Sequence, residues 1–128
     1  SKKIIRALNE IKPPFNVNGI AQLAAIESLK DKKFIKRSVK HNLLYAKKIK
    51  KNLEKYNIFS NPVSANFLLL NFEKCKYSAN FFYKKLKTKG IILRSTKEGY
   101  HIANKLRLTI GSSKENLKFM SVVKGIFN

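Results

Sequence analysis

Only four of the 28 basic residues in this 128-residue chain are arginines (Arg6, Arg37, Arg94 and Arg107), and two of these lie in short β-type runs. A planar guanidinium donates two parallel hydrogen bonds to a carboxylate or phosphate, whereas a lysine offers a hydrated point charge. Arginines in a lysine-rich chain therefore mark candidate anion sites. Side chains alternate along a strand. In Lys105-Leu106-Arg107-Leu108-Thr109-Ile110-Gly111, the residues Leu106, Leu108 and Ile110 share one face and leave Arg107 and Thr109 on the other. In Gly90-Ile91-Ile92-Leu93-Arg94, Ile91 and Leu93 fall opposite Ile92 and Arg94. If the two runs pair as a hairpin over a common core, both guanidiniums emerge on one side of the sheet. Spacing alone equally allows two solvated arginines, because exposed positions of antiparallel strands are commonly charged.

The elements that must position this pair follow from periodicity and from breakers. Lys2 to Lys12 reads as a short helix that Ser1 can cap, with Ile4, Ile5, Leu8 and Ile11 at helical spacing, and Pro13-Pro14 stops it. A polar and aromatic loop, Phe15-Asn16-Val17-Asn18-Gly19, leads to a second helix from Ile20 to Leu29. A third runs from about Asp31 to Tyr56, with Ile35, Val39, Leu43, Ala46, Ile49 and Leu53 as an apolar stripe and lysines opposite. After Asn61-Pro62, residues Ala65 to Phe72 read as a strand that is apolar on both faces, hence central in its sheet. Ser78 to Lys89 is a helix, and Gly90 stands where its C-terminal cap wants a left-handed residue. Ser112-Ser113-Lys114-Glu115 is a capping-box pattern opening a last helix that presents Phe119, Met120, Val123 and Phe127. The expected fold is α/β, of the α+β type: a sheet of about three strands, mixed or antiparallel, with helices packed on one face and connecting helices at the N-terminal side.

A formal charge of +21 and a pI of about 10.3 invite a nucleic-acid or anionic-membrane partner. The lysines are spread through every expected helix rather than gathered in one block, which reads as an ordinary solvated surface. No run of about 18 apolar residues occurs, so no membrane-spanning helix is expected. Cys75 has no partner for a disulfide or at metal-ligand spacing, and His41 and His101 are isolated, so no metal site is expected and the setting is read as cytosolic. The glycines at 19, 90, 99, 111 and 125 are singletons and form no phosphate-cradling loop. No nucleophile and base pattern is present, so by itself the chain offers a recognition surface without a catalytic group.

Four blocks carry a resemblance. Pro13-Pro14-Phe15-Asn16-Val17-Asn18 with Ala21-Gln22 is similar to the Pro-Phe-Asn-Val-Asn segment of histidinol-phosphate aminotransferases. Val63-Ser64-Ala65-Asn66-Phe67-Leu68-Leu69 resembles the family's Pro-Ser-x-Ala-Asn-Phe strand, and Gly90-Ile91-Ile92-Leu93-Arg94 its Gly-Ile-Ile-Val/Leu-Arg strand. Asn104-Lys105-Leu106-Arg107-Leu108-Thr109-Ile110-Gly111, followed by Glu115-Asn116, resembles its Leu-Arg-Ile-Thr-Ile-Gly block. The likeness runs from about Ile4 to the end in the same order, and four blocks in register are far more specific than any one.

The resemblance implies the carboxyl-terminal third of a fold-type-I, pyridoxal-5'-phosphate-dependent enzyme. Residues 1–30 would be connecting helices with the Pro-Phe-Asn-Val-Asn loop, and residues 31–128 the small, substrate-closing domain. The lysine that forms the Schiff base, and the other cofactor-holding groups, would lie upstream of Ser1 in the large domain. The chain alone is therefore expected to be inactive, with no catalytic or cofactor-binding residue of its own. Arg107 matches the arginine that grips the α-carboxylate of the amino donor. Arg94 matches one that holds the substrate's anionic end, and Asn16, Asn18 and Tyr100 would lie near the cleft. The implied reaction is amino transfer between histidinol phosphate and 2-oxoglutarate, yielding glutamate, in histidine biosynthesis, by a cytoplasmic homodimer. Gly99-Tyr100-His101-Ile102-Ala103 departs from the family's Gly-Tyr-Gly-Leu-Pro pattern, which leaves related substrates open, namely threonine phosphate or aromatic amino acids. From a different class, a basic RNA-binding module shares the strand-helix-strand-strand-helix order, but Lys89-Gly90-Ile91-Ile92-Leu93-Arg94 lacks the aromatics that would stack on bases.

Overall fold

A computed structural model describes residues 1–12 and 17–128, the side chain of Glu98 excepted. The chain forms two compact units, Ser1–Lys36 and Arg37–Asn128. The first holds α1 (Lys2–Ile11), α2 (Gly19–Lys30) and the start of α3 (Lys32–Glu54). Neither α1 nor α2 has a buried residue, and Ile4, Leu8, Ile20 and Leu23 are all exposed. Ser1 makes no side-chain cap to α1, contrary to expectation; its backbone carbonyl accepts from the amides of Ile4 and Ile5 instead. Asn18 does cap α2, its Oδ1 accepting from the Ala21 amide at 2.7 Å. Asp31 is the single residue between α2 and α3, and its Oδ1 accepts from the Phe34 amide at 2.9 Å.

In the second unit the rest of α3 is followed by β1 (Phe59–Ser60), β2 (Phe67–Asn71), α4 (Ala79–Thr88), β3 (Arg94–Ser95), α5 (Lys97–Tyr100), β4 (Lys105–Thr109) and α6 (Ser113–Phe127). The sheet has four strands in the order β1-β2-β4-β3, antiparallel throughout, where about three of mixed or antiparallel pairing were expected. The extra strand is β1, which pairs Phe59 with Asn71 and Ser60 with Leu70. It ends there because Pro62 has no N–H to donate, and the Asn61 side chain instead accepts from the Leu69 amide at 2.8 Å. As the sequence predicts, β2 is an inner strand, although it spans only Phe67–Asn71 of the expected Ala65 to Phe72.

Leu68, Leu70, Leu106 and Leu108 lie on one face of the sheet and are buried with Phe82 and Leu86 of α4 and Phe119 and Val123 of α6. Only the last turns of the α3 stripe join them: Ala46, Ile49 and Leu53 are buried, while Ile35, Val39 and Leu43 are exposed. Two helices end alike. The Ile58 amide reaches the Leu53 carbonyl at 3.2 Å past left-handed Asn57, and the Ile91 amide reaches the Leu86 carbonyl at 3.0 Å past Gly90 at φ 71°. Both are Schellman endings, which satisfy the last carbonyls and turn the chain sharply. Among the described residues no helix is long and apolar enough to cross a membrane.

The junction between β4 and α6 is pinned by several hydrogen bonds. Ser112 and Glu115 form the expected capping box, the Ser112 amide donating to Glu115 Oε2 at 2.7 Å. Asn116, buried to 3 % exposure, donates to the Gly111 carbonyl at 2.8 Å and accepts from the Gly111 amide at 3.1 Å. His41 Nε2 lies 2.8 Å from the same carbonyl. A Cβ at position 111 would lie 2.7 Å from Glu115 Oε2 and 3.1 Å from Glu115 Cβ, so a larger residue there would push the Glu115 carboxylate from its place in the box.

Candidate functional site: an arginine pair on the open face of the sheet

The register places Arg94 directly opposite Arg107. The Ile110 amide donates to the Asn66 carbonyl and the Phe72 amide to the Asn104 carbonyl, so the even residues of β4 turn their backbone groups toward β2. By alternation Arg107 turns its own toward β3, which makes Arg94 and Arg107 a hydrogen-bonded pair with Cα atoms about 5.5 Å apart. Both side chains stand on the face away from the core, as alternation predicts. Two like charges directly opposite each other are destabilising. Among the described side chains no carboxylate forms an ion pair with either guanidinium; the ion pairs Arg6–Glu10 and Lys30–Glu27 are exposed and lie in the first unit.

The two arginines differ in their surroundings. Arg107 is half-buried on an inner strand, opposite Leu69 on the β2 side, and its Cζ lies 5.3 Å from the centre of the Phe67 ring. Its Nε is buried and has no hydrogen-bond partner within the chain. Arg94 is exposed on an edge strand only two residues long, and its Cζ lies 5.5 Å from the centre of the Tyr100 ring. The run Gly90-Ile91-Ile92-Leu93-Arg94, expected as a strand, pairs only at its end. Ile92 would next face Thr109, but the chain comes straight out of the α4 Schellman turn and does not reach the ladder until Arg94. Alternation still holds along it, with Leu93 buried and Ile92 exposed. The gap opens a cleft of about 1030 Å³ between Gly90–Leu93, the end of β4 and the first turns of α6, with both arginines in its wall.

Of the residues singled out from sequence, Arg94, Arg107 and Tyr100 come together. Asn18 belongs to the first unit, where its side chain serves as the α2 cap. Asn16 lies outside the described residues. Sequence reasoning did not single out Phe67 or Thr96. The aromatic in the Ala-Asn-Phe block was the available signal for Phe67; nothing local marks Thr96, a buried threonine within a polar connection.

The aminotransferase class I and II family model matches residues 1–122. The chain belongs to that family. Within it, the chain is 64% identical over 127 residues to histidinol-phosphate aminotransferase of Pelagibacter ubique, covering 99% of this chain and 35% of that protein. It is 35% identical over 130 residues to the Campylobacter hominis enzyme of the same name, covering 96% of this chain and 33% of that one. The chain thus spans about a third of the length of these relatives. The crystal structure of histidinol-phosphate aminotransferase from Clostridium acetobutylicum superposes with a TM-score of 0.81 at 27% identity, covering 98% of this chain and 38% of that one. An aminotransferase of this family implies pyridoxal phosphate, and the residues present here do not fit that group by themselves. The cleft's one described carboxylate, Glu115, already accepts from Ser112, and hydrogen bonding to that amide and hydroxyl holds its pKa below the ordinary carboxylate value.

Proposed function

We propose that this chain is the substrate-gripping C-terminal part of a histidinol-phosphate aminotransferase, with residues 1–30 as connecting helices and residues 31–128 as the small domain. One observation carries the proposal: two arginines stand directly opposite each other across antiparallel strands, on the open face of a sheet, with no described carboxylate paired to either. An anion placed there relieves their repulsion and fills the donor capacity that the chain leaves unused. Arg107, half-buried and backed by Phe67, is suited to a bidentate grip on the α-carboxylate of glutamate. Arg94, at the edge, is suited to the phosphate of histidinol phosphate. The whole enzyme would use pyridoxal 5'-phosphate held by its large domain, and would act as a cytoplasmic homodimer that moves an amino group reversibly between histidinol phosphate and 2-oxoglutarate, glutamate being the amino form of the latter. The experiment is steady-state kinetics of the holoenzyme in both directions, histidinol phosphate with 2-oxoglutarate as acceptor and glutamate with the keto product of histidinol phosphate as acceptor. Arg107→Ala should lower kcat/KM for glutamate about a hundredfold or more, and unchanged kcat/KM for both substrates in Arg94→Ala and Arg107→Ala would sink the proposal. Equilibrium dialysis of the isolated chain with pyridoxal phosphate should show no specific, stoichiometric binding.

A further inference from the structure

Arg94 stands where little should hold it. Its strand is two residues long and lies at the sheet edge, and ordering an arginine side chain costs about 2 kcal/mol of rotamer entropy. The ring of Tyr100 supplies the missing wall, with the guanidinium carbon 5.5 Å from its centre. A four-residue helix such as α5 is too short to hold that ring in place unaided. The backbone around it is tied by Thr96, buried to 2 % exposure. The Thr96 hydroxyl lies 2.8 Å from the Ile102 carbonyl and 2.9 Å from the Lys105 carbonyl, while its own carbonyl accepts from the amides of Tyr100 and Ile102, each at 3.1 Å. His101 and Asn104 take left-handed conformations at φ 53° and 51°, and Asn104 Oδ1 accepts from the Ala79 amide at 2.8 Å. The connection between β3 and β4 is therefore closed on itself and moored to α4, which is more construction than a solvated loop requires.

We propose that Tyr100 is a positioning residue: its ring fixes the plane of the Arg94 guanidinium, so that the edge N–H groups are presented beside Arg107 to the phosphate end of the substrate. The inference rests on the reading of Arg94 as the phosphate-binding arginine. A guanidinium held by its face against a ring keeps its in-plane donors free, and those are the donors that reach a phosphate in parallel.

The test is kcat/KM of the holoenzyme for histidinol phosphate relative to its dephosphorylated analogue, histidinol. Tyr100→Leu should lower that ratio about fivefold to thirtyfold, the worth of a cation over a partly desolvated aromatic face, and Tyr100→Phe should keep it within about twofold. In an Arg94→Ala background, Tyr100→Leu should have no further effect on the ratio. Tyr100→Gln, which suits a half-exposed position, should repeat the Leu result and replaces it if Tyr100→Leu melts early. The inference is overturned if Tyr100→Leu or Tyr100→Gln affects both substrates equally, or if its effect persists without Arg94. If Arg94→Ala itself leaves the ratio unchanged, the reading of Arg94 fails instead. If Arg94→Ala lowers the ratio and the Tyr100 variants do not, only the role of Tyr100 falls.

Discussion

The strands β4 and β3 each carry one arginine of the pair, and they are built in opposite ways. Five residues of β4 pair with β2, its core face holds Leu106 and Leu108, and its C-terminal end is locked to α6 through Gly111, Ser112, Glu115 and Asn116. Two residues of β3 pair with β4 and nothing pairs beyond them. The contrast teaches that two arginines directly opposite each other can be held by different means, one by the core and the other by a connection.

Several substitutions would sharpen or break this contrast. Arg107→Ala removes the arginine held by the core and should lower kcat/KM with glutamate by about a hundredfold or more, as for truncating one partner of a desolvated charge pair, measured in the holoenzyme. Asn116→Ala leaves the part-buried Gly111 amide without its partner and should destabilise the domain by about 1–3 kcal/mol in urea unfolding. If that variant also loses affinity for glutamate more than for phosphate, the lock on β4 is what fixes Arg107. Arg94→Ala should raise KM for histidinol phosphate about tenfold, the loss of one exposed charge-assisted contact. The same substitution should raise folding stability by about 0.2–1 kcal/mol at low salt, because it removes a like charge directly across the strands, and the gain should fade as salt is added.

The smallest effect concerns pH. Hydrogen bonds from Ser112 lower the Glu115 pKa from its ordinary 4.5, so the folded carboxyl holds its proton less tightly than the unfolded one. The capping contribution is then fully present above about pH 4.5 and is lost as pH falls through the lowered folded value. Glu115→Gln should flatten that acid limb of the urea midpoint while leaving the neutral-pH fold intact. An unchanged acid limb would show that the box at the end of β4 adds no pH-dependent stability.

Much of this architecture is legible in the sequence where the signal is local. The glycine after α4, the Ser112–Glu115 box, and the alternation around Arg107 each depend on a few neighbouring residues, and the structure shows each as expected. Other features were missed because their cause is distant. The strand β1 exists only because Phe59 and Ser60 meet the free edge of β2, and two residues carry no periodicity to announce it. The front half of the α3 stripe looks as apolar as the rest, yet burial depends on what lies opposite, and only Ala46, Ile49 and Leu53 reach the sheet core.

By itself the sequence determined the element types, the caps, and the side of its strand on which each arginine stands, because backbone stereochemistry and hydrogen bonding fix these over a handful of residues. Tertiary structure alone decided that Arg94 lies opposite Arg107 rather than two residues along, and that a tyrosine six positions later lies against its guanidinium. Register and ring placement are set by where the α4 turn releases the chain and where Thr96 closes the connection. Both are long-range constraints that no local pattern encodes.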